Sequence, residues 1–168
     1  MLFVKTFIEC IEILYSLLFG INIFSIIFKE KEVRQMARKT AGVKAMRLKL
    51  EDKIVSMDIL KKRDKNIEDR SLLIVTEKGF GKKVKLNQFR VQKKGGSGIR
   101  AIKVNQRSGD LIFSQILDEE KKDLILISKN SKIIRIELDT LPNLRRDAIG
   151  VKLMKLDSND KTVFALCV

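Results

Sequence analysis

Gln92-Lys93-Lys94-Gly95-Gly96-Ser97-Gly98 sets two lysines directly ahead of three glycines. Glycine tolerates φ > 0 and lets a backbone approach another surface closely. Ammonium groups beside exposed N–H groups form a concavity suited to a phosphate. Taken alone, such a loop is as often a plain turn. It gains weight by recurring. Gly42-Val43-Lys44-Ala45-Met46-Arg47-Leu48, Gly98-Ile99-Arg100-Ala101-Ile102-Lys103-Val104 and Gly150-Val151-Lys152-Leu153-Met154-Lys155-Leu156 share one template: glycine, β-branched, basic, two apolar, basic, apolar. The copies begin 56 and 52 residues apart. Each follows a basic pair, Arg38-Lys39, Lys93-Lys94 and Arg145-Arg146, and an apolar residue nine positions before its glycine, Val33, Phe89 and Leu141. A solvated loop explains any one pair. Three pairs at equivalent positions of successive repeats predict a line of cations along one rim, an arrangement that follows a phosphate backbone around a curve. Gln92 and Arg100 flank the central loop and join the candidate contacts. Nothing in these loops offers base-edge recognition, so weak sequence preference and strong salt dependence are expected.

Composition narrows the alternatives. The 168 residues include 35 Lys+Arg against 21 Asp+Glu, a net charge of +14. Of this, +8 falls between residues 71 and 117 and only +1 beyond 118, so the basic field belongs to the middle of the chain. Such a field calls for an anionic partner. The absence of His excludes Ser-His-Asp and Cys-His triads and the usual zinc hydrolase chemistry. Cys10 and Cys167 stand at opposite ends without metal-ligand spacing and read as reduced, core-type residues. No P-loop is present, and no cofactor, metal site or catalytic residue is expected.

The elements that must hold the loops read as β. Leu72–Thr76, a Lys78-Gly79 turn and Lys82–Leu86 predict a hairpin; Leu124–Ser128, Asn130-Ser131 and Ile133–Leu138 predict another. Leu111–Leu117, Ile99–Val104 and Thr162–Val168 are predicted strands, and residues 61–70 an exposed connector. A period near 50 residues with about four strands per unit predicts propeller-like blades, over residues 14–60, 71–117 and 123–168. The fold class is all-β, a partial pinwheel of three four-stranded blades over residues 29–168. Residues 1–28 form an atypical apolar segment. Its uncharged run, Ile13–Phe28, is 16 residues long, short of the ~20 a spanning helix needs. A short helix over 3–15 followed by strand–turn–strand around Gly20 or Asn22 is the expectation, with membrane association and an ill-folded or aberrant N-terminus as the competing ones.

The stretches TEKGFGKKVKLNQFRVQKKGGSGIRAIKV and LILISKNSKIIRI…LRRDAIGVKLMKL resemble the C-terminal domain of DNA gyrase A, over residues 29–168. The resemblance implies a β-pinwheel of about six blades whose basic rim wraps double-stranded DNA in support of negative supercoiling. It implies DNA gyrase B and the rest of gyrase A as partners, and a bacterial cytoplasmic, nucleoid-associated setting. The family's gyrase A box reads Gln, basic, basic, Gly, Gly, basic, Gly; Gln92–Gly98 departs from it at Ser97, and its surroundings look like the family's penultimate blade. Three repeats stand where the family has about six, and Ile23 occupies the place of Gly79. The family's active-site tyrosine region is absent, and Tyr15, in an apolar run, reads as core. Three further readings compete with a gyrase wrapping module. They are the equivalent domain of topoisomerase IV, a structural or vestigial half-pinwheel that self-associates through open blade edges, and a membrane-anchored basic protein.

Overall fold

The computed structural model describes residues 13–20, 24–36, 39–50, 52–61, 69–103 and 105–168, with residues 13–20 and 61 in backbone alone. In chain order the strands are β1 (Ile13–Gly20), β2 (Phe24–Lys29), β3 (Ile54–Lys61), β4 (Ser71–Thr76), β5 (Phe80–Lys85), β6 (Ile99–Arg100), β7 (Leu111–Ile116), β8 (Asp123–Ser128), β9 (Ile133–Glu137), β10 (Val151–Lys152) and β11 (Thr162–Cys167). A one-turn 3-10 helix follows each hairpin, at Glu30–Glu32, Leu86–Gln88 and Leu138–Thr140.

The strands form three antiparallel sheets in the orders β3-β1-β2-β6, β10-β5-β4-β7 and β11-β8-β9. Each sheet is a hairpin with the last strand of its own repeat on one side. The fourth strand of the first two sheets comes from the following repeat. In the first sheet β6 pairs Ile99 with Ser25 and Arg100 with Phe24; in the second, β10 pairs Val151 with Gly81 and Lys152 with Phe80. These donated strands are the starts of the repeated template. The third sheet has three strands among the described residues.

The template strand is shorter than expected. Only Ile99–Arg100 pairs, because Ala101 and Ile102 turn inward and are fully buried. Val104 lies outside the described residues, as do residues 62–68 of the expected connector. Strand–turn–strand is found at the N-terminal end, with β1 and β2 in register from Tyr15–Lys29 to Phe19–Ser25. Ile13–Tyr15 belong to β1, which corrects the expected helix over 3–15 at its end; residues 1–12, and Ile23, lie outside the described residues. Along β2, Ile27 is buried in one core and Ile26 and Phe28 in another, and an apolar run buried on both faces of a sheet needs no helix to explain it.

The same two-sided burial recurs at β4. Along β4, Leu72 and Ile74 face the first sheet, while Leu73 and Val75 face the third. The strand is buried on both faces and reads as the unbroken run LLIVT. At β8 Leu124, Leu126 and Ser128 are buried and alternate with half-buried Ile125 and Ile127. Each repeat's template seals the space before its own sheet: Ala45 and Met46 lie against Ile26 and Phe28, Ala101 and Ile102 against Leu72 and Ile74, and Met154 against Leu73 and Val75. Cys167 belongs to the last of these cores as a free thiol, pushed up to about 11 by burial. Among the described residues no helix is long and apolar enough to cross a membrane, and no cluster of His, Cys, Asp or Glu could hold a metal ion.

Candidate nucleic-acid interface

The loops at Lys93-Lys94 and Arg145-Arg146 occupy equivalent places because the chain enters both in the same way. After the 3-10 turn, the Gln92 N–H donates to the Ile27 carbonyl (2.7 Å) and the Leu144 N–H to the Lys83 carbonyl (2.8 Å). Ile27 and Lys83 are equivalent positions of β2 and β5. Isolated parallel bridges, Ile27 with Val91 and Lys83 with Asn143, mark the same crossing. Each loop therefore rides over the hairpin of the preceding repeat before supplying that sheet's fourth strand. Gly98 (φ +79°) and Gly150 (φ +101°) make the final turn, a conformation that L side chains rarely adopt. A Cβ on either would lie 2.6 Å from a neighbouring backbone oxygen, that of Ser25 or Gly81. The template glycine is thus a requirement of close passage as well as of the turn.

Around the central loop, the Gly95 N–H donates to the Ala45 carbonyl (2.7 Å) and the Arg47 N–H to the Gly96 carbonyl (2.8 Å), which ties it to the first repeat's template. Lys93 is exposed and Lys94 half-buried, and the Lys94 backbone N–H donates to Glu32 Oε2 (3.0 Å). Gln92 and Gly96 are half-buried, and Arg100 is exposed on β6. In the next loop Arg145 is exposed. Arg146 is half-buried and partly committed: Nη1 donates to the Arg100 carbonyl (2.9 Å), and its guanidinium stands 5.9 Å from the centroid of the Phe89 ring. That hydrogen bond ties the Arg145-Arg146 loop to β6, which follows the Lys93-Lys94 loop. Lys39 sits in an exposed turn of the first repeat, and Arg38 lies outside the described residues.

Two contributors escape a reading of the sequence by local pattern. Gln88 braces the Arg145-Arg146 loop, its Oε1 accepting from the Arg146 N–H (3.1 Å) and its Nε2 donating to the Leu144 carbonyl (3.5 Å). Lys82 is fully buried, and Nζ donates to the carbonyls of Arg145 (2.8 Å), Arg146 (2.7 Å) and Ala148 (2.8 Å). Burial lowers its ammonium to about 8; Asp147 opposes that shift and Arg146 adds to it. The signal for Lys82 exists only in the alignment of repeats, where Ile26 and Ile134 take its place.

Sheets that exchange a strand with their neighbours, each exchange opening on a basic loop, define a propeller-like repeat domain. The family model described as "DNA gyrase C-terminal domain, beta-propeller" matches residues 24–61, 70–116 and 122–168. The chain belongs to this family. It is 34% identical over 134 residues to DNA gyrase A of Lawsonia intracellularis, covering 80% of this chain and 16% of that one. It is 33% identical over 143 residues to DNA gyrase A of Thermotoga maritima, covering 84% and 17%. The chain therefore spans about a sixth of the length of these curated relatives. A solved DNA gyrase A C-terminal domain superposes with a TM-score of 0.79 at 27% identity, covering 95% of this chain and 52% of that one. The C-terminal domain of DNA topoisomerase IV shares the fold, with a TM-score of 0.82 at 23% identity and 94% and 47% coverage.

Proposed function

We propose that this chain is a DNA-binding and DNA-wrapping module of a type II topoisomerase, of the gyrase A type and non-catalytic by itself. Residues 14–60, 71–117 and 123–168 act as its three blades. Lys39, Lys93, Lys94, Arg100, Arg145 and Arg146, with Arg38 and Gln92, meet duplex phosphates, and Gly95 and Gly96 let the loop backbone come close. The observation that carries this reading is the equivalent seating of two basic loops on adjacent sheets, joined by the Arg146–Arg100 hydrogen bond. Cations at a regular angular interval bind a curved duplex through its backbone without reading bases. DNA gyrase B and the remainder of gyrase A are the partners, on the nucleoid in the bacterial cytoplasm. The near-complete Gln92–Gly98 box and the curated relatives favour gyrase over topoisomerase IV. The test is to ligate nicked plasmid around the purified protein and read its linking number. A protein-dependent shift of one sign is expected. Binding without a shift limits the chain to holding DNA, and no binding at ~100 mM salt leaves the vestigial reading in front.

A second reading, self-association, is favoured by one feature of the third sheet. Its β9 edge carries no fourth strand among the described residues, and Ile133, at the start of β9, is 64% exposed. Residues 42–44, the equivalent of β6 and β10, pair with no strand among the described residues. The repeat offsets set Ile133 where Ser25 and Gly81 stand, so a second copy would bring its Val43 opposite Ile133. Cysteine at position 43 of one copy (Val43→Cys) and at 133 of the other (Ile133→Cys) is expected to form an intermolecular disulfide only when the two variants are mixed. A monomeric mass by light scattering with no cross-link would sink this reading.

A further inference from the structure

Residues 145–150 form neither helix nor strand, and their one internal backbone bond, from the Ala148 N–H to the Arg145 carbonyl (3.1 Å), leaves the rest of the loop's shape to contacts with its surroundings. In the first sheet the equivalent support is apolar: Ile26 is fully buried, and a Cβ on Gly96 would sit 3.4 Å from Ile26 Cδ1. In the second sheet the same position is Lys82. Its ammonium carries three protons, and three loop carbonyls within 2.8 Å receive them. A buried cation is costly unless every proton is accommodated in this way. A planar trans peptide points its C=O and the following N–H in opposite directions. Carbonyls of Arg146 and Ala148 drawn inward therefore turn the N–H groups of Asp147 and Ile149 away from Lys82. Beneath the loop sits a fixed positive charge; above it, Arg145 is exposed.

We propose that Lys82 is a positioning residue for phosphate binding: by holding three carbonyls of the 145–148 loop inward, it sets Arg145, Arg146 and the outward N–H groups of that loop toward the duplex. This rests on the DNA-binding reading above. It also has a consequence in pH. Burial lowers the Lys82 ammonium to about 8. The neutral amine keeps two N–H groups for three carbonyls, so one tie is lost. Even where that is the Arg145 carbonyl, which also accepts from the Ala148 N–H (3.1 Å), the loop is held to Lys82 at fewer points and slackens. The charged groups that act on Lys82 are Asp147 and Arg146 on the loop, beside Arg145, whose carbonyl it bonds. From β4 it faces Ile74, and Lys83 on its own strand turns away to the Leu138 carbonyl. Stability moves the other way. Between about 8 and the ordinary 10.5, the unfolded chain holds a proton that the folded chain has released, so folding is favoured as pH rises. A purely structural lysine would move binding and stability together.

The experiment measures duplex affinity against salt for the full chain, Lys82→Met, Arg145→Ala/Arg146→Ala, and the triple variant. Lys82→Met is expected to lose about one unit of salt slope and about 5- to 10-fold in affinity. The arginine changes should add less in its background than in the wild type. Wild-type affinity for Lys82→Met, with the arginine pair still costly, overturns the inference and leaves DNA binding intact. No duplex binding by the wild type overturns both. Should Lys82→Met not fold, the wild type between pH 7 and 9 decides. Affinity falling while the melting temperature holds or rises supports the role; a flat affinity, or a parallel fall, overturns it.

Discussion

Replacing Lys93 and Lys94 together by alanine is expected to flatten the plot of log affinity against log salt by about two units for any duplex sequence. Each lysine that neutralises a phosphate releases about one counterion, so a pair that acts through charge alone leaves a mark near that size. Neither side chain is used by the fold among the described residues; what anchors the loop is backbone, through Gly95, Gly96 and the Lys94 N–H on Glu32. The double variant should therefore melt like the wild type. An unchanged slope would remove this loop from the interface, and a loss confined to one duplex sequence would mean base readout.

Gly150→Ala is expected to lower stability by about 3–5 kcal/mol, combining the left-handed penalty for a residue with a Cβ and the overpacking of a filled site. The overlap is with backbone, Gly81 O at 2.6 Å and Gly81 C at 2.9 Å, which no rotamer change relieves. Gly95→Ala is the internal comparison. Its φ is +80°, yet the nearest atom to a Cβ is Lys44 O at 3.5 Å, so only the conformational part should appear, about 1–2 kcal/mol. Urea midpoints of the two variants separate these terms. Equal losses would mean that the close passage of the chain at Gly150 contributes nothing.

The hairpins β4–β5 and β8–β9 were legible because their pattern is local. Apolar runs of strand length flank Lys78-Gly79 and Asn130-Ser131, and Gly79 and Ser131 adopt φ of +74° and +62°. The destination of the template strand was not legible. Ile99 pairs with Ser25, far back in the chain, and no residue in Gly-Ile-Arg encodes which sheet accepts it. The expected length, Ile99–Val104, overran for a related reason: Ala101 and Ile102 are apolar because they enter the core, not because they continue a ladder. Loops rich in Lys and Gly announced themselves as candidates. Lys82 did not, since Gly81-Lys82-Lys83-Val84-Lys85 reads as a solvated edge when taken alone. Its burial depends on a loop more than sixty residues later.

The donated strands put two kinds of unit out of phase. Measured along the chain, a repeat begins at its hairpin and ends with its last strand, as the matched stretches 70–116 and 122–168 do; the first, 24–61, opens at its hairpin's second strand. In space, a finished sheet begins there but ends inside the next repeat, at β6 or β10. A gain or loss of one whole repeat therefore never cuts out one whole sheet. It removes a strand from the sheet before it and leaves a bare edge, unless the next repeat along can take the same place. The near identity of Gly42-Val43-Lys44, Gly98-Ile99-Arg100 and Gly150-Val151-Lys152 makes these end-pieces interchangeable. Repeat number can change by duplication or deletion because the joint between blades is the same at each seam.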